Sequence, residues 1–166
     1  MPETIPKIKI ENVVASATVN QRIDLIEITK KFTHVEYNPK QFPGLVFRIK
    51  NPKTAILIFN SGKMVCTGGK SEKLAKIAIK SVVASLKEKN IEIKKRATVT
   101  IQNIVASVDL GGKIDLEEAA RQLSNSMYEP EQFPGLIYRM KEPKTVILIF
   151  SSGKLVCTGA KIESQV

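Results

Sequence analysis

One histidine, His34, and two cysteines, Cys66 and Cys157, are all the imidazole and thiol chemistry in this chain of 166 residues. So small a set excludes imidazole-pair mechanisms and most metal sites, and two cysteines do not make a disulfide framework. Long apolar runs are also missing. Thr54–Phe59 falls far short of the roughly 20 residues that a bilayer-spanning helix needs. The first residues, Met1 to Lys7, lack the basic-then-apolar order of a secretory leader. Negative charge is scarce: 16 Asp and Glu face 26 Lys and Arg, a net charge of +10 with a pI near 9.6. That balance favours a polyanionic partner without naming one.

What is present is the composition of a soluble globular protein, 43% hydrophobic and 25% charged. The length suits one ordinary domain or two small, closely packed ones. The charge is unevenly spread. Residues 1–90 hold 16 basic and 7 acidic side chains, net +9, whereas residues 91–166 hold 10 and 9, net +1.

The chain also repeats itself. Shifted by 91 positions, Tyr37–Lys70 aligns without a gap on Tyr128–Lys161, with 24 of 34 residues identical. Asn12-Val13-Val14-Ala15-Ser16 likewise aligns on Asn103-Ile104-Val105-Ala106-Ser107. Two copies of this size suggest a pseudo-twofold molecule rather than a solenoid, with a first repeat over 1–90 and a second over 91–166. In each copy an alternating strand opens (Ile8–Val19; Val99–Leu110). A short helix follows, entered at Asp24 or Asp115 with a glutamate three residues on, the capping-box spacing. Then come a Pro-containing loop and three strands, in copy 1 near Leu45–Lys50, Thr54–Asn60 and Lys63–Gly68. Copy 1 closes with a helix from Ser71 to about Lys89, whose stripe of Leu74, Ala75, Ala78, Ile79, Val82, Val83 and Leu86 is apolar. In copy 2 Val166 corresponds to Ala75, so the given sequence stops as that helix begins. Ile147, Ile149 and Cys157 are therefore expected to lack cover, with lowered stability or self-association as the result.

Alternation separates two faces in the strands. Ile56 and Ile58 point one way and Ala55, Leu57 and Phe59 the other; Met64 and Cys66 oppose Val65 and Thr67; in the opening strand Asn12, Val14 and Ser16 share a face. Both faces are apolar or weakly polar, although an antiparallel sheet usually wets one of them. Helices can cover only one, so the second expects a partner. A sandwich of the two repeats, face to face, is one solution. Against it, Arg48, Lys63 and Lys70, with Arg139, Lys154 and Lys161, recur around that face. An apolar floor with a cationic rim suits the DNA minor groove, whose floor offers sugar and base edges and whose walls are phosphates.

The blocks that carry most identity, QNIVAS, YEPEQFPGLIYRM, VILIFSSGK and CTGAK in copy 2 and ENVVAS, QFPGLVFRI, ILIFNSGK and CTGGK in copy 1, resemble the core domain of the TATA-box-binding protein family, in its archaeal form. The resemblance runs from about Lys7 to Lys161. It implies an α+β fold: a saddle of two repeats in one curved antiparallel sheet of about ten strands, helices on the convex face, DNA on the concave one. It also implies roles. Phe42, Phe59, Phe133 and Phe150 resemble the wedges that open base steps. Asn12 and Asn103, with Thr67 and Thr158, resemble the groups that meet A N3 and T O2 in the groove. Val14, Val65, Leu57, Val105, Val156 and Leu148 resemble the apolar floor, which crowds out the guanine amino group. Arg48, Ser61, Lys63 and Lys70, with Arg139, Ser152, Lys154 and Lys161, resemble the phosphate contacts. The loop bearing Glu129, Glu131 and Gln132 resembles the docking surface for transcription factor B, which leads on to RNA polymerase and to a polarity of assembly.

On pattern alone, Phe59 and Phe150 also fit core aromatics, and the lysines a solvated surface. A duplicated protein-interaction scaffold and an accessory nucleic-acid-binding domain are the other readings. The residues offer no nucleophile–base pair, phosphate loop or metal spacing, so neither an enzyme nor a cofactor is expected. His34 is Asn125 in copy 2, which reads as a surface or loop histidine, and both cysteines read as small buried hydrophobes. Location follows function: the cytoplasm and its nucleoid, or a nucleus in a eukaryotic source.

Overall fold

Side chains alternating between two faces build the strands, and three side-chain caps start the helices. The computed structural model describes residues 5–166. In chain order the elements are β1 (Ile8–Thr18), α1 (Leu25–Lys31), β2 (Val35–Glu36), β3 (Leu45–Lys50), β4 (Lys53–Ile58), β5 (Lys63–Gly69), α2 (Glu72–Glu88), β6 (Thr98–Asp109), α3 (Leu116–Gln122), β7 (Ser126–Met127), β8 (Leu136–Met140), β9 (Thr145–Ile149) and β10 (Lys154–Ala160), then a 3₁₀ turn, Glu163–Gln165. Hydrogen bonding orders the strands β2-β3-β4-β5-β1-β6-β10-β9-β8-β7 in one ten-stranded sheet, which makes the fold α+β and replaces the sandwich alternative. The described residues divide into two compact units, 12–102 and a second formed by those up to Glu11 with 103–166.

In the unit of residues 12–102, Val13, Ala15, Ala17, Leu45, Phe47, Ile56, Ile58, Met64 and Cys66 form one wholly buried face. Their alternating neighbours stay half-exposed. The cover is α2. Ser71 Oγ accepts from Leu74 N at 3.0 Å to start it. At the other end Asn90, at φ 61°, turns the chain while Ile91 N bonds Leu86 O and Asn90 N bonds Lys87 O, a Schellman closure. Between these caps Ala75, Ala78, Ile79, Val82 and Leu86 are wholly buried against the sheet. Each large side chain among them contributes about 1.5–3 kcal/mol. Asp24 caps α1 by accepting from Ile26 N and Glu27 N, and Glu27 takes Lys31 as its partner at 2.8 Å.

The other unit repeats the plan with β6, α3, β7, β8, β9 and β10, Asp115 capping α3. Only the 3₁₀ turn stands where α2 would start. Ile147, Ile149, Leu155 and Cys157 are half-buried, whereas their equivalents Ile56, Ile58, Met64 and Cys66 are wholly buried. Cys157 thus lacks the cover that Cys66 has, in line with the missing counterpart of α2, and is half-buried, not the buried hydrophobe its residue type suggests. A groove of about 360 Å³ opens there, lined among others by Ile8, Val108, Ile147, Leu155, Cys157 and Val166.

Candidate nucleic-acid interface

The face of each unit that no helix covers carries the candidate residues, and pairing register arranges them in rows. In the 12–102 unit Ser16 lies opposite Val65, Val65 opposite Leu57 and Leu57 opposite Val46. The equivalent row is Ser107, Val156, Leu148 and Ile137. A second row runs Thr67, Ala55, Arg48, and its equivalent Thr158, Val146, Arg139. Val14 and Val105 are half-exposed, as are Leu57, Leu148, Val65 and Val156, which makes a continuous apolar floor in each unit. Val46 and Ile137 extend that floor beyond the residues expected in it; the only sequence signal for them is their alternation with buried Leu45 and Leu136.

Asn12 and Asn103 are held identically. The Asn12 carboxamide oxygen accepts from Gly68 N at 2.7 Å while its nitrogen donates to Thr67 Oγ1 at 3.1 Å. Asn103 does the same with Gly159 N at 2.7 Å and Thr158 Oγ1 at 3.0 Å. The backbone bond fixes which end of the amide is the oxygen. An amide nitrogen carries two hydrogens, so one remains for an acceptor above the sheet.

The phenylalanines come together in pairs. Phe42 and Phe59 meet edge to face with centroids 5.9 Å apart, and Phe133 and Phe150 repeat the geometry at 5.9 Å. Phe42 is 42% exposed and the other three are half-buried, so none is a core aromatic. The loop before each pair is a short turn in which Phe42 N bonds Asn38 O and Phe133 N bonds Glu129 O, both at 3.0 Å. Gly44 and Gly135 make room for the rings. A Cβ at Gly44 would sit 2.7 Å from Phe42 Cε1 and 3.0 Å from Phe59 Cε1, and one at Gly135 would sit 2.9 Å from Phe133 Cε1. In the sequence these glycines read only as turn residues.

Around the floor Arg48, Ser61, Lys63 and Lys70 are exposed, as are Arg139, Ser152, Lys154 and Lys161. Arg48 Nη2 lies 3.6 Å from Glu36 Oε2 in an exposed pair, too weak to hold the guanidinium against a phosphate. Glu129, Glu131 and Gln132 are exposed on the loop before Phe133. His34 is exposed and packs edge-on against Phe32 and Phe47, at 5.9 and 5.0 Å. Burial pushes the Cys66 thiol up to about 11 and raises that of Cys157, opposed there by a hydrogen bond with Thr145. Among the described residues no three His, Cys, Asp or Glu side chains gather as metal ligands, and no helix is long and apolar enough to cross a membrane.

Residues 7–89 and 98–166 match the family model described as transcription factor TFIID, or TATA-binding protein. The chain belongs to the TATA-binding protein family. It is 56% identical over 164 residues to a TATA-box-binding protein of Pyrodictium occultum, covering 99% of this chain and 82% of that protein. With a TATA-box-binding protein of Methanosphaera stadtmanae it shares 53% over 159 residues, 96% of this chain and 87% of the other. The solved Methanococcus jannaschii TBP superposes with a TM-score of 0.85 at 49% identity, over 96% of this chain and 91% of that one. The family consists of DNA-binding transcription factors, not enzymes, and the TATA-binding protein fold accounts for the repeated, helix-free face.

Proposed function

We propose that this chain is a general transcription initiation factor that binds the TATA-box promoter element through the DNA minor groove. The observation that carries the reading is the twofold recurrence, on the helix-free face, of one constellation: a backbone-oriented asparagine, an apolar floor and an edge-to-face phenylalanine pair. A·T pairs offer only acceptors in the minor groove, so Asn12 and Asn103 with Thr67 and Thr158 meet A N3 and T O2. Val14, Val65, Leu57, Val105, Val156 and Leu148 leave little space for a guanine amino group. Phe42, Phe59, Phe133 and Phe150 enter base steps as wedges, replacing lost stacking while the bent duplex reaches more protein. Arg48, Ser61, Lys63 and Lys70, with Arg139, Ser152, Lys154 and Lys161, hold phosphates.

In this reading the repeats are 1–90 and 91–166, and each covers half of the element. Glu129, Glu131 and Gln132 present a surface to transcription factor B, which brings RNA polymerase. The chain works in the cytoplasm on the nucleoid. A TATA duplex with a dye at each end tests the bend. Binding should bring the dyes together, and Phe42→Ala with Phe133→Ala should abolish the approach. An unbent duplex in the wild-type complex would refute wedge insertion. For the partner loop, Glu131→Lys should block the ternary complex with transcription factor B while leaving the TATA complex in place. An intact ternary complex would refute that assignment. We also infer that the groove over Ile147, Leu155 and Cys157 favours self-association of the 166-residue chain. Sedimentation that stays monomeric at high concentration would refute it.

A further inference from the structure

Two equivalent hydrogen bonds on the helix-free face run between groups of different chemistry. Ser107 Oγ lies 2.7 Å from Glu11 Oε1. At the positions 91 residues away, Gln102 Nε2 lies 2.7 Å from Ser16 Oγ. A carboxylate can only accept, so Ser107 must spend its hydrogen on Glu11. Ser107 then offers lone pairs outward. The Gln102 amide donates to Ser16, which leaves the Ser16 hydroxyl its hydrogen to give. One acid-for-amide difference therefore leaves Ser107 an acceptor only, whereas Ser16 keeps a hydrogen to donate beside one lone pair. Both head a floor row, Ser16 opposite Val65 and Ser107 opposite Val156, so they sit where a ligand on that face would be read. Lys9 Nζ, 3.8 Å from Glu11 Oε1 and well exposed, offsets part of the carboxylate charge without removing its acceptor character.

We infer that Glu11 is a specificity-determining residue that gives the two half-sites different base tolerance. This rests on the reading that the face takes the minor groove of A·T-rich DNA. There A·T pairs show acceptors only, and G·C adds one donor, the guanine N2 amino group. The Ser16 hydroxyl donates to the A·T acceptors and loses that bond where a guanine amino group stands in front of them, whereas Ser107 has no such bond to lose. Ser107 with Glu11 is an acceptor pair and accommodates that donor. The unit holding Glu11 and Ser107 tolerates a G·C pair at its step, and the unit holding Gln102 and Ser16 does not. A promoter with one such pair is therefore bound in one direction.

Palindromic A·T duplexes carrying zero, one or two G·C pairs at dyad-related steps, scanned step by step, test this by affinity alone. At the responsive step the wild type, free to turn, should lose less than about threefold for the first G·C pair. It should lose about tenfold or more for the second. Glu11→Gln should lose about tenfold already at the first, and Gln102→Glu should lose little at either. Each protein is compared with its own binding to the all-A·T duplex, so a general change in affinity cancels. Equal first-pair penalties for the wild type and Glu11→Gln at every step would overturn the inference. Failure of all three proteins to bind the all-A·T duplex would overturn the minor-groove reading, and the inference with it.

Discussion

At the scale of single residues, the site depends on groups that hold other groups. Asn12 is useful because Gly68 N pins its oxygen at 2.7 Å. The phenylalanine pairs exist because Gly44 and Gly135 have no Cβ. Gly135→Ala should therefore push Phe133 and Phe150 apart and reduce TATA affinity and bending together, with the folded state retained. Unchanged affinity and bend angle would show that the ring geometry does not matter. Asn12→Asp removes the amide donors and places a carboxylate over the groove, so it should weaken TATA binding at least about tenfold, read by titration. Asn12, Thr67 and the phenylalanines are legible as candidate site residues in the sequence because they recur twice in register within long specific blocks. Gly44 is not, since a Phe-Pro-Gly triplet reads as a turn and the ring clearance exists only in three dimensions. The Glu11–Ser107 and Gln102–Ser16 contacts are hidden for the same reason: 96 and 86 residues separate the partners.

At the scale of elements, the helix that covers one unit and not the other sets the energetics. Helix α2 is legible nearly to the residue because a serine cap and a 3.6-residue stripe agree. The opening strands are legible because alternation persists over about ten residues. Strands β2 and β7 are not, since two residues carry no period and are placed only by pairing with β3 and β8. Ile58→Ala, at a wholly buried position of β4, should cost about 2–5 kcal/mol, and Ile149→Ala, half-buried, clearly less, by denaturant unfolding. Equal losses would mean the second unit is covered as well as the first. The thiols report the same contrast. An alkylating agent at neutral pH should label Cys157 before Cys66. Because burial raises the Cys66 thiol from 9.0 to about 11, the unfolded chain releases that proton first as pH rises. Stability should be untouched below about pH 9 and fall between there and about 11. Cys66→Ala should show a shallower fall over that window, and an identical slope would contradict the shift.

At the scale of the whole molecule, charge and chemistry are divided differently. The floor, the asparagines and the phenylalanine pairs recur almost unchanged in both repeats, whereas net charge is +9 in residues 1–90 and +1 in residues 91–166. Like surfaces in unlike fields suit a pseudo-symmetric ligand that must still be bound in one direction. The acidic loop at Glu129 and Glu131 is the local form of that difference. The central claim is narrower: the helix-free face reads the minor groove of A·T-rich DNA. The most direct test is equilibrium binding to an A·T-rich TATA-like duplex and a G·C-rich duplex of equal length, across a salt series. The account predicts at least about tenfold tighter binding to the A·T duplex. It also predicts affinity falling with salt at a log–log slope of about −5, as six rim cations displace counterions. Equal, weak binding to both duplexes would contradict it.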